Sequence, residues 1–316
     1  MDVVIFILAM GGLIFGADFI VGQSERIALR FNISEFIIGS TLVALGTSLP
    51  EMAGSIAASL NNKPEIAIAN VVGSNIMNIT LVLAVIFIVT KRFTPKRDFF
   101  AKDSIWALMP ILMFLLMAID GVIDHFDATL LIILMIAYLL FLIEDLKGIG
   151  TDTLEEDAKK KFSWFRSIIL LILGFIFVVV GAYFAIDAAT NIAKSFKVSE
   201  WIIGVILLSF GTSLPELVVS ISAALKGKAE MAIGNIIGSN LANTTMVIGS
   251  AALVGDLTID LEKYAFDLAL MTTATIMLVY ITANKLYSKP AGISLLILLA
   301  LFLENAMDGI KITGTV

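Results

Sequence analysis

The 316-residue sequence contains no cysteine and a single histidine, His125. Disulfides and thiolate metal sites are thereby excluded, and one imidazole leaves little for zinc ligation or a nucleophilic triad. Charge is scarce as well. Only 15% of the residues are Asp, Glu, Lys or Arg, against roughly a quarter in a soluble domain. A chain so poor in charge does not turn most of its surface to water. The formal balance of −6 says little about partners, because the depth of each charge in a bilayer matters more than the sum. No basic patch with interleaved aromatics points to nucleic acid. The opening Met1-Asp2-Val3-Val4 carries no basic residue, and the first apolar run lacks a small-residue cleavage site. It reads as a retained spanning helix rather than a signal peptide.

What the sequence has instead is hydrophobicity, 59% of residues with a mean hydropathy of +1.00. It is spread over the whole length, which excludes a soluble enzyme with one anchor. A spanning helix needs about 20 mostly apolar residues. That window predicts ten spans, near 3–21, 36–60, 65–90, 104–119, 127–143, 166–190, 201–225, 230–254, 264–283 and 291–307. The polar connector at 146–165, with Glu155, Glu156, Asp157, Lys159, Lys160 and Lys161, is too short for a folded domain and reads as a solvated linker between residues 1–145 and 166–316. Lys and Arg alternate with the spans: 16 fall in connectors on one side and 5 on the other. The positive-inside bias places the linker in the cytoplasm and both termini outside a cell membrane.

A duplication underlies this layout. Residues 37–80 align with 202–245 at a constant offset of 165, without a gap, and 24 of the 44 pairs are identical. GTSLPE occurs at 46–51 and again at 211–216; N-x-x-GSN-x-x-N occurs at 70–78 and again at 235–243. A displacement of five spans reverses the direction of insertion, so the predicted fold is an all-α membrane protein of two inverted five-helix repeats, with broken helices two, three, seven and eight at its core. Inverted repeats with a midplane site are a habit of secondary transporters.

The duplicated segments carry the chemistry. Gly46, Pro50, Gly211 and Pro215 interrupt apolar helices, and a proline removes an amide donor, so carbonyls near 44–47 and 209–212 are expected to be freed for hard cations. Glu51 and Glu216 put carboxylates in mid-span, at a cost of at least about 2.5–3.5 kcal/mol each that a bound cation offsets. Around them stand Thr47, Ser48, Ser74, Asn78, Thr212, Ser213, Ser239 and Asn243. Oxygen-only ligation suits Na+, Ca2+ or Mg2+ and disfavours zinc or copper. Small residues in membrane helices also serve close packing, but duplicated mid-span glutamates are hard to explain by packing. Asp18, Asp187, Asp267 and Glu304 fall toward span ends, where interfacial placement is the default, and His125 reads as a loop residue. Ser34-Glu35 and Ser199-Glu200 look like capped helix starts.

At these motifs the sequence resembles the sodium/calcium exchanger family of the cation/Ca2+ antiporter superfamily, in its form without a regulatory domain. The resemblance implies exchange of Na+ for Ca2+ by a two-helix gate, spans one and six, sliding across a rigid core. It implies Ca2+ ligation by Glu51 and Glu216 with the backbone carbonyls of Thr47 and Thr212. Na+ would use the same glutamates, the hydroxyls of Ser48, Ser74, Ser213 and Ser239, and carbonyls at Ala44 and Ser209, with Asn78 at the central position. Many family members carry aspartate where this chain has Asn243, which limits the site to two negative charges. One Ca2+ neutralises two charges; three Na+ would leave one positive charge. No cofactor is implied beyond the transported Na+ and Ca2+, and no partner beyond the lipid bilayer, so a monomer suffices. A Ca2+/H+ antiporter using the same glutamates and a passive cation channel are the rival functions. No serine–histidine or paired-aspartate arrangement supports an intramembrane hydrolase.

Overall fold

A computed structural model describes residues 1–90, 95, 97–147, 163–196 and 211–313. Among them the chain is helical except for one two-residue strand pair. In chain order the helices are α1 (Asp2–Phe31), α2 (Glu35–Thr47), α3 (Leu49–Leu60), α4 (Pro64–Val89), α5 (Phe99–Asp120), α6 (His125–Lys147), α7 (Trp164–Ser195), α8 (Leu214–Leu225), α9 (Ala229–Val254), α10 (Leu261–Ala283) and α11 (Lys289–Thr313). Strands β1 (Val122–Ile123) and β2 (Leu257–Thr258) pair antiparallel and tie the turn after α5 to the turn after α9.

Eight of these helices are long and apolar enough to cross a membrane, and the pair α2 and α3, bent by 43° at Ser48, makes a ninth when counted as one span. The α8 helix is short, and the first part of the span expected at 201–225 lies outside the described residues, as does Ser199-Glu200. Ser34 does cap its helix: its hydroxyl accepts the Ile37 N–H at 3.2 Å.

Two helices form the centre. In the most apolar window of α4 and of α9, 83% of the residues are buried, against 22–44% in the other long helices. The central pair is also the polar pair, carrying both N-x-x-GSN-x-x-N segments. This inversion suits a bilayer: lipid is as apolar as leucine, so side chains needing hydrogen bonds gather inside and apolar ones face out. Outward-facing Ile7, Phe15, Ile133, Leu140, Ile172 and Ile176 are all more than half exposed.

Close backbone approach fixes α2 against α9. A Cβ on Gly39 would lie 2.4 Å from the Met231 carbonyl oxygen, and one on Gly238 would lie 2.4 Å from the Ser40 oxygen and 2.6 Å from its Cα. Both obstacles are main chain and cannot swing aside. Gly238→Ala is therefore expected to force the helices apart at a cost of about 1–3 kcal/mol, read as a lower unfolding temperature in detergent. An unchanged midpoint would show that the seam is soft.

Outside the centre, α1 and α7 pack along each other with Gly16, Gly174 and Gly181 at the contact. The α1 helix meets α8 through Asp18, which accepts from Lys226 Nζ at 2.7 Å and Ser222 Oγ at 2.9 Å. At one end of the bundle Lys228 pairs with Glu25 of α1 and Glu35 of α2. Nearby, Arg97 bonds Asp103 of α5 at 2.6 and 2.9 Å and Asp145 of α6 at 2.6 Å, and its amide donates to Glu230 of α9 at 3.0 Å. Burial works against the Arg97 charge, but the two aspartates outweigh it and hold the guanidinium above its ordinary pKa. His125 is exposed, starts α6 and contacts Asp256 at 3.2 Å. Asp187 is exposed on α7, whereas Asp267 accepts from Asn305 at 3.2 Å.

Candidate cation site

Breaks at Ser48 and at its counterpart Ser213 place the helices that follow the two GTSLPE turns against α4 and α9. Pro50 and Pro215 each stand within the first two residues of the helix after the break, where a missing amide costs least. Across the first break Ser48 N–H donates to the Ala44 carbonyl and Met52 N–H to the Ser48 carbonyl; across the second, Leu217 N–H donates to the Ser213 carbonyl. None of these backbone bonds uses the Thr47 or Thr212 carbonyl. The Ala44 carbonyl departs from the expectation that it is freed. It accepts the Ser48 amide at 3.0 Å and the Thr47 hydroxyl at 3.2 Å, because the helix stays hydrogen-bonded up to the bend. Ser209 lies outside the described residues.

Glu51 and Glu216 are both fully buried. Ser48 Oγ donates to Glu216 Oε1 at 3.2 Å. Among the described residues Glu216 Oε2 and both carboxylate oxygens of Glu51 have no partner, and the same is true of Ser213 Oγ, Asn78 Oδ1 and Asn243 Oδ1. Buried polar atoms are almost always satisfied. Here six unpartnered oxygens, five of them pure acceptors, belong to the residues the duplication singles out. Among the described residues no three His, Cys, Asp or Glu side chains converge on a metal-sized space. The donor set is thus two carboxylates among neutral oxygens, a set for hard cations.

The remaining expected residues meet across the repeats. Thr47 Oγ1 lies 3.5 Å from Ser239 Oγ, and its counterpart Thr212 Oγ1 lies 3.2 Å from Ser74 Oγ. Asn70 Nδ2 reaches Ser55 Oγ at 3.0 Å, and Asn235 Nδ2 reaches Ser220 Oγ at 2.9 Å. The two halves also differ. Thr47 is fully buried and also reaches Asn235 Oδ1 at 3.3 Å, while Thr212 and Ser74 line a cleft of about 250 Å³ with Asn70, Gly73, Gly54 and Ile66.

Sequence reasoning missed Asn75 and Asn240. Each lies between helices and bonds the other's backbone: Asn75 Nδ2 to the Asn240 carbonyl at 3.4 Å, and Asn240 Nδ2 to the Asn75 carbonyl at 3.2 Å. The signal was available in the offset of 165, which relates them as it relates the glutamates.

A family model described as sodium/calcium exchanger protein matches residues 1–144 and 166–307. The chain belongs to the sodium/calcium exchanger family. The exchanger is 38% identical over 94% of its length to an uncharacterized membrane protein of Methanocaldococcus jannaschii, of which the match covers 94%. It is 29% identical to the sodium/calcium exchanger MaX1 of Methanosarcina acetivorans, covering 94% of this chain and 97% of that one. Its fold is similar to a solved structure of the sodium-calcium exchanger NCX_Mj soaked with Na+ and Sr2+, with a TM-score of 0.81, 35% identity and coverage of 96% and 97%. The family is one of transporters, not enzymes. The exchanger is a multi-span membrane protein with cation/Ca2+ antiport activity.

Proposed function

We propose that the exchanger couples Na+ to Ca2+, with both ions visiting one site around Glu51 and Glu216 by alternating access. The observation that carries this reading is the set of six unpartnered buried oxygens on Glu51, Glu216, Ser213, Asn78 and Asn243. Cations visiting the site would supply the missing partners, different oxygens serving different ions. Ca2+ would take the two carboxylates with the Thr47 and Thr212 carbonyls. Na+ would take the same glutamates with the hydroxyls of Ser48, Ser74, Ser213 and Ser239. A proton carrier needs only titratable groups, so the surplus of hydroxyl and amide oxygen favours Na+ over H+ as the counter-ion. Exchangers named for sodium and calcium among the relatives support the same choice.

Ten spans in two inverted five-helix repeats, 1–145 and 166–316, remain our reading of the layout. The exchanged contacts at an offset of 165 support it, as does the proline in the first two residues of both α3 and α8. The 16-to-5 distribution of Lys and Arg supports external termini and a cytoplasmic 146–165 linker. The α1–α7 pair would be the sliding gate, since glycine contacts let the two helices move as one body.

Purified exchanger in vesicles tests the reading. A Na+ gradient alone is expected to drive Ca2+ uptake at clamped membrane potential. Uptake driven only by a pH gradient would make it a Ca2+/H+ antiporter, and currents without an obligatory counter-ion would make it a channel. Repeating the assay at two potentials reads the charge moved per cycle.

A further inference from the structure

We propose that Asn75 and Asn240 are positioning residues that fix which face of the Asn243 and Asn78 carboxamides the transported cation meets. The inference rests on the cation-site reading and adds to it two residues that are not themselves ligands.

A carboxamide has an oxygen face that attracts a cation and an NH2 face that repels it, and the two are nearly equal in shape. Asn78 and Asn243 can serve a cation only if something holds the oxygen toward it. The structure contains that device. Asn75 Nδ2 points at three acceptors, the Asn240 main-chain carbonyl at 3.4 Å, Thr244 Oγ1 at 2.8 Å and Met271 Sδ at 3.8 Å. The Thr244 hydroxyl donates its own proton to the Asn240 carbonyl at 2.9 Å, so it can only accept from Asn75. A main-chain carbonyl never donates. The polarity of Asn75 is therefore set, and its Oδ1 accepts Asn243 Nδ2 at 3.2 Å. Asn243 Oδ1 is left free.

The same logic runs the other way. Asn240 Nδ2 donates to the Asn75 main-chain carbonyl at 3.2 Å, its Oδ1 accepts Asn78 Nδ2 at 3.0 Å, and Asn78 Oδ1 is left free. All four asparagines are at most 9% exposed, so water does not substitute for a lost partner. Each relay starts at a backbone carbonyl, which has one polarity, and ends at an amide oxygen without a protein partner. Each also crosses from one repeat to the other. Without the relay, either amide could turn its NH2 inward and become a cationic-side obstacle.

The test is a double-mutant cycle on vesicles and on purified protein. The apparent Ca2+ affinity is read from the KM of Na+-driven uptake and from the Ca2+ dependence of the thermal unfolding midpoint. Asn75→Leu, of similar size, is expected to weaken Ca2+ by about 10–100-fold, the usual cost of losing an outer-shell partner. In an Asn243→Asp background the same substitution is expected to change affinity by less than about 3-fold, because a carboxylate has two equivalent oxygens and no wrong face. Unchanged affinity in Asn75→Leu would overturn the proposal. So would an equal loss in both backgrounds, which is what a packing role gives. Should Asn75→Leu not be recovered folded, Asn240→Leu with and without Asn78→Asp provides the equivalent cycle, with the same two outcomes. Glu51→Gln and Glu216→Gln run alongside: if they keep normal uptake, the cation-site reading fails, whereas their loss with an unaffected Asn75→Leu defeats the relay alone.

Discussion

Glu51→Gln and Glu216→Gln are each expected to lower the apparent Ca2+ affinity by at least roughly 30-fold while leaving membrane insertion intact. Removing one member of a desolvated charge pair costs about 2–5 kcal/mol, and every 1.4 kcal/mol is tenfold. Both side chains are fully buried, so water cannot replace the lost charge. The substitutions should have the opposite effect on the protein without Ca2+. Among the described residues no side chain donates to either oxygen of Glu51, and a buried carboxylate without a partner is destabilising. Glu51→Gln should therefore raise the unfolding temperature in Ca2+-free detergent, and more than Glu216→Gln, whose parent already receives the Ser48 hydroxyl. Na+-driven Ca2+ uptake and a thermal scan measure the two signs. Normal uptake in both variants would take the site away from the glutamates.

Arg97→Met is expected to be the most destabilising single change outside that site, by about 3–5 kcal/mol. The guanidinium side chain is 7% exposed and Asp103 beneath it is wholly buried. Removing one partner of a buried pair leaves the other charge uncompensated, which is where that magnitude arises. The loss is compounded by the Phe36 ring, 4.2 Å from the guanidinium carbon, and by Asp145, which Arg97 and Lys102 share. Lys102 is the control. Its side chain is 47% exposed, so Lys102→Ala should cost less than about 1 kcal/mol. Equal unfolding temperatures for the two variants would show that the cluster adds nothing to stability.

Much of the architecture was legible because a bilayer leaves few options. Apolar runs must be helices, and the polar residues among them must face inward, so an all-helical multi-span chain with Glu51 and Glu216 buried follows from hydropathy alone. Helix limits were less legible. Hydropathy marks the depth of lipid rather than the length of helix, so α1 runs to Phe31 where the apolar window stops near 21, and α7 runs from Trp164 to Ser195 where it covers 166–190. Asp103 lies inside α5 although the window excluded it, because Arg97, six residues earlier in the connector, cancels its charge. The Ala44 carbonyl stays bonded because Pro50 deletes its own bond, not those of the residues before it, and Ser48 keeps the bond to Ala44. The offset of 165 pairs Asn75 with Asn240, but which groups they bond, like the reach of Arg97 to Asp145, depends on helix packing that no periodicity encodes.

The exchanged contacts of the asparagines bear on how the protein came to be one chain. Asn75 serves Asn243 and Asn240 serves Asn78, so residue i of one half meets residue j of the other, and j meets i. Between separate subunits, that reciprocity marks a two-fold homodimer. An ancestor holding one copy of the duplicated segment would then have been complete only as a pair, and fusion would have freed the copies to diverge. Thr244 opposite Ile79 and Thr47 buried where Thr212 lines a cleft are the kind of inequality that only a fused dimer can keep.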